Sequence, residues 1–265
     1  MVMAFLLAAF AAPLVHSGIA TAPHHQAGTR QALPPLANGT ALRIMPLGAS
    51  ITWGQASSDG NGYRGVLRTM LTSGGNPVNM VGTQQHGSMP DNDVEGWPGY
   101  VIDQVFAKAN SSVPAWKPNV ILVNAGTNDC SQNKSIDRAG ERMLAMLEHL
   151  FDMSPRATIV LSSLIINKNA TVEDRVLNVN DQYREVAAGL KAKGRRLVFA
   201  EMHGGDGPQV ADMSDDTHPN DRGYQKMAVL WYNALATADR GGLLVAPEPV
   251  DGVPDDGGAK KKGRG

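Results

Sequence analysis

The sequence predicts an α/β fold, one mainly parallel β-sheet covered by helices on both faces. Apolar runs of strand length recur along the chain, and segments with apolar residues at three- and four-residue spacing separate them. The composition agrees: of 265 residues, 42% are hydrophobic and 18% charged, enough for one filled core. A formal net charge of −1 gives no support to a nucleic-acid partner.

The elements follow in order. Met1 to Ala12 are almost wholly apolar, and the small residues Ser17-Gly18-Ile19-Ala20-Thr21-Ala22 suit a cleavage site, so residues 1–22 read as a signal peptide, though without a basic n-region. Pro13 and His16 interrupt the stretch before it reaches the roughly 20 residues of a membrane span. A secreted, extracellular, monomeric protein with no membrane partner is therefore expected. Residues 23–40, rich in Ala, Pro, His and Gln, read as an extended leader. Five strands are predicted at Leu42 to Leu47, Val78 to Val81, Asn119 to Asn124, Thr158 to Leu164 and Arg196 to Ala200. Five helices are predicted at Tyr63 to Leu71, Tyr100 to Ala109, Ile136 to Phe151, Glu173 to Lys193 and Arg222 to Ala238. Strict alternation makes residues 41–240 one domain, and places functional groups on loops at the carboxyl ends of the strands. Residues 241–265 carry Pro247, Pro249 and Pro254, acids from Asp251, and a final Lys260-Lys261-Lys262-Gly263-Arg264, and are expected to be a disordered tail. Asn-x-Ser/Thr sequons at Asn38, Asn110, Asn133 and Asn169 fit a secreted glycoprotein. The single cysteine, Cys130, permits no internal disulfide and reads as a small buried residue rather than a reactive thiol.

Chemistry concentrates in four places. Ser50 follows the apolar strand Ile44-Met45-Pro46-Leu47 where Gly48 and Gly54 let the backbone turn, which can expose its hydroxyl as a nucleophile; the competing reading is a helix N-cap. Asp215, three residues before His218, can hold one imidazole nitrogen while the other takes a proton, or both residues can be ordinary loop polars. Asn128, in Gly126-Thr127-Asn128-Asp129 after a buried strand, can donate to an oxyanion, and Asp129 can accept backbone N–H bonds; the same tetrapeptide is also common turn composition. Gly99, at the mouth of a helix in Glu95-Gly96-Trp97-Pro98-Gly99-Tyr100-Val101-Ile102-Asp103, is a better N–H donor candidate than Gly96, or is a plain loop glycine. Asp206, Asp212, Asp215 and Asp216 read as loop caps rather than a cation site, and no metal or cofactor is expected.

Gly48-x-Ser50, Gly99, Gly126-Thr127-Asn128-Asp129 and Asp215-x-x-His218, in this order, resemble the SGNH (GDSL-type) hydrolase superfamily. Longer matches resemble its carbohydrate esterase family 3 acetyl xylan esterases: Arg43-Ile44-Met45-Pro46-Leu47-Gly48, Gly62-Tyr63-Arg64, Val81-Gly82-Thr83, the Glu95 to Asp103 block, and His218-Pro219-Asn220 with Gly223-Tyr224 and Met227-Ala228. The resemblance implies a three-layer α/β/α sandwich of the flavodoxin-like kind with a five-stranded sheet. It also implies Ser50 as nucleophile, His218 as base, Asp215 as orienting acid, and an oxyanion hole from the Ser50 and Gly99 N–H groups and the Asn128 side chain. The implied reaction removes acetyl groups from xylan through an acyl-enzyme. Two departures stand out: Ala49 where the family pattern has Asp, and Trp97 where it has His. Trp97 is therefore a substrate-binding candidate, offering an apolar wall and one N–H donor. Hydrolysis of a different carboxylic ester, and a non-catalytic glycan-binding relative, are the competing functions.

Overall fold

The computed structural model describes residues 33–257, so the expected signal peptide, most of the expected leader and the basic end of the tail lie outside the described residues. Every predicted strand is found: β1 (Leu42–Gly48), β2 (Val78–Met80), β5 (Val120–Asn124), β6 (Thr158–Ser162) and β7 (Leu197–Ala200). Two short strands join them, β3 (Gln84–Gln85) and β4 (Asp93–Gly96), so the sheet has seven strands. They carry no apolar run of strand length, which is why periodicity does not find them.

β1 is the pivot of the sheet. β2 pairs in parallel with its first half, Leu42 to Val78, and β4 with its last two residues, Leu47 to Glu95 and Gly48 to Gly96. On the other side β5, β6 and β7 follow, all parallel, while β3 folds back antiparallel on β4. Gly48, Gly96 and Asn124 thus finish side by side at the carboxyl edge.

Strand alternation builds two cores. Leu42, Ile44, Val120, Leu122 and Val160 face α2 (Tyr63–Ser73) and α7 (Asp221–Arg240), where Leu67, Trp231 and Leu235 are fully buried. Met45, Leu47, Ile121, Val123 and Ile159 face α3 (Ile102–Trp116), α5 (Ala139–Met153) and α6 (Ala170–Ala192). Two short helices were not anticipated from periodicity, α1 (Ser50–Trp53) and α4 (Thr127–Gln132); each is too short to show a period and each carries a candidate site residue. α6 starts three residues before its predicted Glu173 because Asn169 caps it, its carboxamide oxygen accepting from the Thr171 and Val172 N–H groups.

The tail differs from the expectation of disorder as far as it is described. Leu244 and Val253 are buried, and the segment crosses the amino ends of the strands, where its carbonyls accept bonds from Thr158 Oγ1 (Leu243 O, 2.7 Å), Asn119 Nδ2 (Val245 O, 2.6 Å) and Arg43 Nη1 (Glu248 O, 2.9 Å). Asp255 then pairs with Arg43 at 2.5 Å. The proline and aspartate content that signals disorder is offset here by apolar anchors and by a buried guanidinium that needs acceptors. The last leader residues dock as well, with Leu36 buried and its N–H donating to Asn76 Oδ1.

Candidate active site

The turn after β1 is set by crowding. At Gly48 a Cβ would lie 2.2 Å from Asn124 O and 2.4 Å from Thr52 Oγ1, so only glycine lets β1 run between β4 and β5 to its end. Ala49 follows as the N-cap of α1 with no side-chain bond, and Ser50 is the first helical residue. The N-cap reading of Ser50 is thereby excluded, and its hydroxyl is free for another partner. Arg64, fully buried on α2, fixes the turn from behind by donating to the carbonyls of Thr52 and Trp53. Sequence reading assigned Arg64 no role; a buried guanidinium cannot be read from a one-letter pattern.

That partner is His218, whose Nε2 lies 3.0 Å from Ser50 Oγ although the residues are 168 positions apart. Its loop is closed at the base by a bridge between Met213 and Pro219 and a 2.8 Å bond from Ser214 N–H to His218 O, and Asn220 begins α7 by capping Gly223 N–H. Asp215 Oδ2 is 2.8 Å from His218 Nδ1, and Oδ1 accepts from the backbone N–H groups of Thr217 and His218, both at 2.7 Å. Partial burial raises the Asp215 pKa, but the two N–H bonds and the imidazole together hold its carboxyl below its ordinary value. An ionised carboxylate only accepts, so Nδ1 carries the proton and Nε2 presents a lone pair to the serine hydroxyl. The His218 side chain is 13% exposed and Asp215 52%, so the base is sheltered and its acid faces solvent.

The other two candidates stand beside this pair on neighbouring loops. Gly99, with φ +83°, has open space around it, and only a residue free of Cβ strain turns the chain there into α3. Asn128 is the second residue of α4; one N–H of its carboxamide donates to Tyr100 O at 2.9 Å, leaving the other free to turn toward an oxyanion. The same bond ties the Asn128 turn to the Gly99 loop. Asp129, fully buried, ties them again: Oδ2 accepts from Ile102 N–H at 3.0 Å and Oδ1 pairs with Arg142 at 2.5 Å. The backbone bond is the one expected of Asp129; Arg142, far off on α5, left no signal in the local motif.

Trp97 follows β4 directly, its N–H donating to Gly48 O at 3.0 Å. One expectation changes here. The indole N–H donates to Glu95 Oε1 at 2.8 Å, and that fully buried carboxylate also accepts from Thr83 N–H, so the donor is spent and only the ring is left as a surface. Tyr100 stacks beside the ring at 5.6 Å and Lys108 Nζ lies 4.1 Å from its centroid.

Cys130 is fully buried, and burial pushes its thiol up to about 12, which keeps it protonated and inert. Of the acids, Asp212 pairs with Lys226 at 2.6 Å and Asp215 with His218, which accounts for two of the four without a cation. Among the described residues no group of three or more His, Cys, Asp or Glu side chains is arranged to hold a metal ion, and no helix is long and apolar enough to cross a membrane.

Comparison with known proteins gives the family and the fold. The sequence profile of the GDSL-like Lipase/Acylhydrolase family matches residues 47–226, which span Ser50 and His218. A curated protein, the multidomain esterase of Ruminococcus flavefaciens, is 29% identical over 223 residues, an alignment covering 73% of this chain; the chain spans only 28% of that relative's length. Among solved structures, the family 3 carbohydrate esterase of Clostridium thermocellum superposes with a TM-score of 0.68 at 23% identity, covering 76% of this chain and 98% of the other. A family 3 carbohydrate esterase from Talaromyces cellulolyticus gives 0.65 at 22%, covering 76% and 99%. At these identities the structural likeness establishes the fold.

Proposed function

Because the chain belongs to the GDSL-like lipase/acylhydrolase family, we propose that it is a carboxylic ester hydrolase of the SGNH type, a secreted serine esterase that removes acetyl groups from acetylated plant polysaccharide such as xylan. The observation that carries the mechanism is the relay from Asp215 through His218 to Ser50, at 2.8 and 3.0 Å. In this reading His218 Nε2 takes the Ser50 proton as Oγ attacks the ester carbonyl. The N–H groups of Ser50 and Gly99 and the free N–H of Asn128 take the oxyanion, and as the ester C–O bond breaks the imidazolium, steadied by Asp215, gives its proton to the departing sugar oxygen, leaving acetyl-Ser50. Water, deprotonated by the same imidazole, then frees acetate. The chemistry is complete with these side chains and backbone groups.

The polysaccharide substrate rests on the block-by-block resemblance and on the Trp97 ring beside the serine turn, an apolar wall with no donor of its own. Secretion rests on the apolar Met1 to Ala12 stretch and on the four sequon asparagines, all of which are exposed. A glycan-binding protein without turnover is disfavoured by the intact relay. Acetate release from acetylated xylan, run beside a long-chain ester and beside Ser50→Ala, tests the reading: release from xylan alone, lost in the variant, supports it. Preference for the long-chain ester would keep the mechanism and replace the substrate.

A further inference from the structure

The loop that carries His218 and Asp215 is exposed, yet a proton relay needs it held to a fraction of an ångström. The β6–α6 loop supplies two contacts that hold it. Lys168 N–H donates to Asp216 O at 2.9 Å, and Asn167 Nδ2 donates to Thr217 Oγ1 at 3.1 Å. Thr217 is the residue whose own N–H donates to Asp215 Oδ1 at 2.7 Å. Asn167 is 5% exposed and is itself fastened from both ends: its Oδ1 accepts from Asn169 N–H at 2.9 Å, and its N–H donates to Glu173 Oε2 at 2.7 Å. The other Glu173 oxygen lies 2.6 Å from His203 Nε2, which anchors the carboxylate to the segment after β7.

We propose that Asn167, held by Glu173, is a positioning residue of the esterase: it fixes Thr217 so that Asp215 and His218 face Ser50. The inference rests on the serine-esterase reading above. Neither residue touches substrate; both act through the Thr217 hydroxyl and backbone. The sign of the effect follows from geometry. Releasing Thr217 lets the acid drift from Nδ1, so the imidazole samples poorer orientations toward Ser50, and the loss falls on the chemical step rather than on substrate capture.

The test uses p-nitrophenyl acetate turnover by the full chain, with Asn167→Ala, Thr217→Val, their double variant, Glu173→Ala and Glu173→Gln. Each of the first two is expected to lower kcat roughly tenfold with KM nearly unchanged and the thermal midpoint close to native, and the double variant is expected to be no worse than the poorer single, because both remove one contact. Glu173→Ala is expected to follow them, while Glu173→Gln, whose amide oxygen still accepts from Asn167 N–H, regains most of the activity. Native kcat in Asn167→Ala or Thr217→Val, or losses that multiply in the double variant, would overturn the proposal. If Asn167→Ala does not fold, Thr217→Val, which exchanges the hydroxyl for a methyl group, decides alone. Ser50→Ala separates the two levels of the argument: turnover surviving in it ends the serine-esterase reading, whereas a dead Ser50→Ala beside native rates in Asn167→Ala and Thr217→Val ends only the positioning role.

Discussion

His218 and Ser50 are the residues on which the proposed chemistry stands or falls, and Ser50→Ala and His218→Ala are each expected to abolish measurable turnover while leaving the thermal midpoint near native. Asn128→Ala is expected to lower kcat by about 10²- to 10³-fold, the usual loss of one oxyanion donor, read by steady-state kinetics on a soluble acetyl ester. Asp215→Ala is expected to be milder than His218→Ala, because the base itself survives. Against the raising effect of partial burial, the Asp215 carboxyl is held below its ordinary value by the backbone N–H groups of Thr217 and His218 and by the imidazole. A lowered folded pKa contributes stability that is present above the unfolded carboxylate value of about 3.9 and is lost as pH falls through the folded value. Circular dichroism followed through the acid range, with the native protein beside Asp215→Ala, checks that linkage: the native protein is expected to lose this part of its stability on acidification and the variant to lack it. At this scale much was legible in sequence. Ser50, Gly99, Asn128, Asp215 and His218 were all singled out from their local motifs, because strand ends and turn glycines mark where groups can be presented. Arg64 and Arg142 were not, because each reaches the site from a neighbouring helix, and the Glu95 grip on Trp97 was not, although only two residues separate the pair, because which way an indole N–H points is a side-chain matter that spacing does not encode.

Among the elements, α7 and the tail strap give the sharpest expectations. Trp231 on α7 is fully buried against Tyr63 of α2, with ring centroids 5.6 Å apart. Trp231→Ala is expected to cost about 3–5 kcal/mol in chemical denaturation, from the cavity and the lost apolar contact. The strap over the amino ends of the strands predicts a different separation. Ending the chain at Gly242 removes the tail acceptors of Arg43, Asn119 and Thr158, while Arg43 keeps the Trp116 and Lys117 carbonyls and Asn119 keeps Ala41 O, and is expected to cost about 1–3 kcal/mol for the groups left unpaired, with kcat per folded molecule unchanged because Ser50 sits at the opposite edge. Loss of kcat without loss of stability would contradict that placement. The five apolar strands and five long helices were legible because a buried parallel strand is an unbroken apolar run and a surface helix repeats every three or four residues. β3 and β4 were not, since neither is an apolar run, nor were α1 and α4, which are too short to show a helical period; β4, α1 and α4 are where much of the site is assembled.

For the whole molecule, the sheet does for catalysis what no single element can. β1 ends between β4 and β5, so the serine turn, the Gly99 loop and the Asn128 turn reach one edge together, and the His218 loop approaches that edge from 168 residues away in the chain. The fold class followed from the order of elements, whereas the convergence of the loops followed only from strand order, which the sequence does not spell out. The most direct test of the account traps the covalent intermediate. Protein mixed with a rapidly cleaved acetyl ester, quenched in acid and digested is expected to show, by mass spectrometry, one acetyl group on the peptide containing Ser50. Ser50→Ala is expected to show none and to release no acetate. Acetate released at the native rate by Ser50→Ala, or turnover by native protein with an acetyl group on any residue other than Ser50, would contradict it.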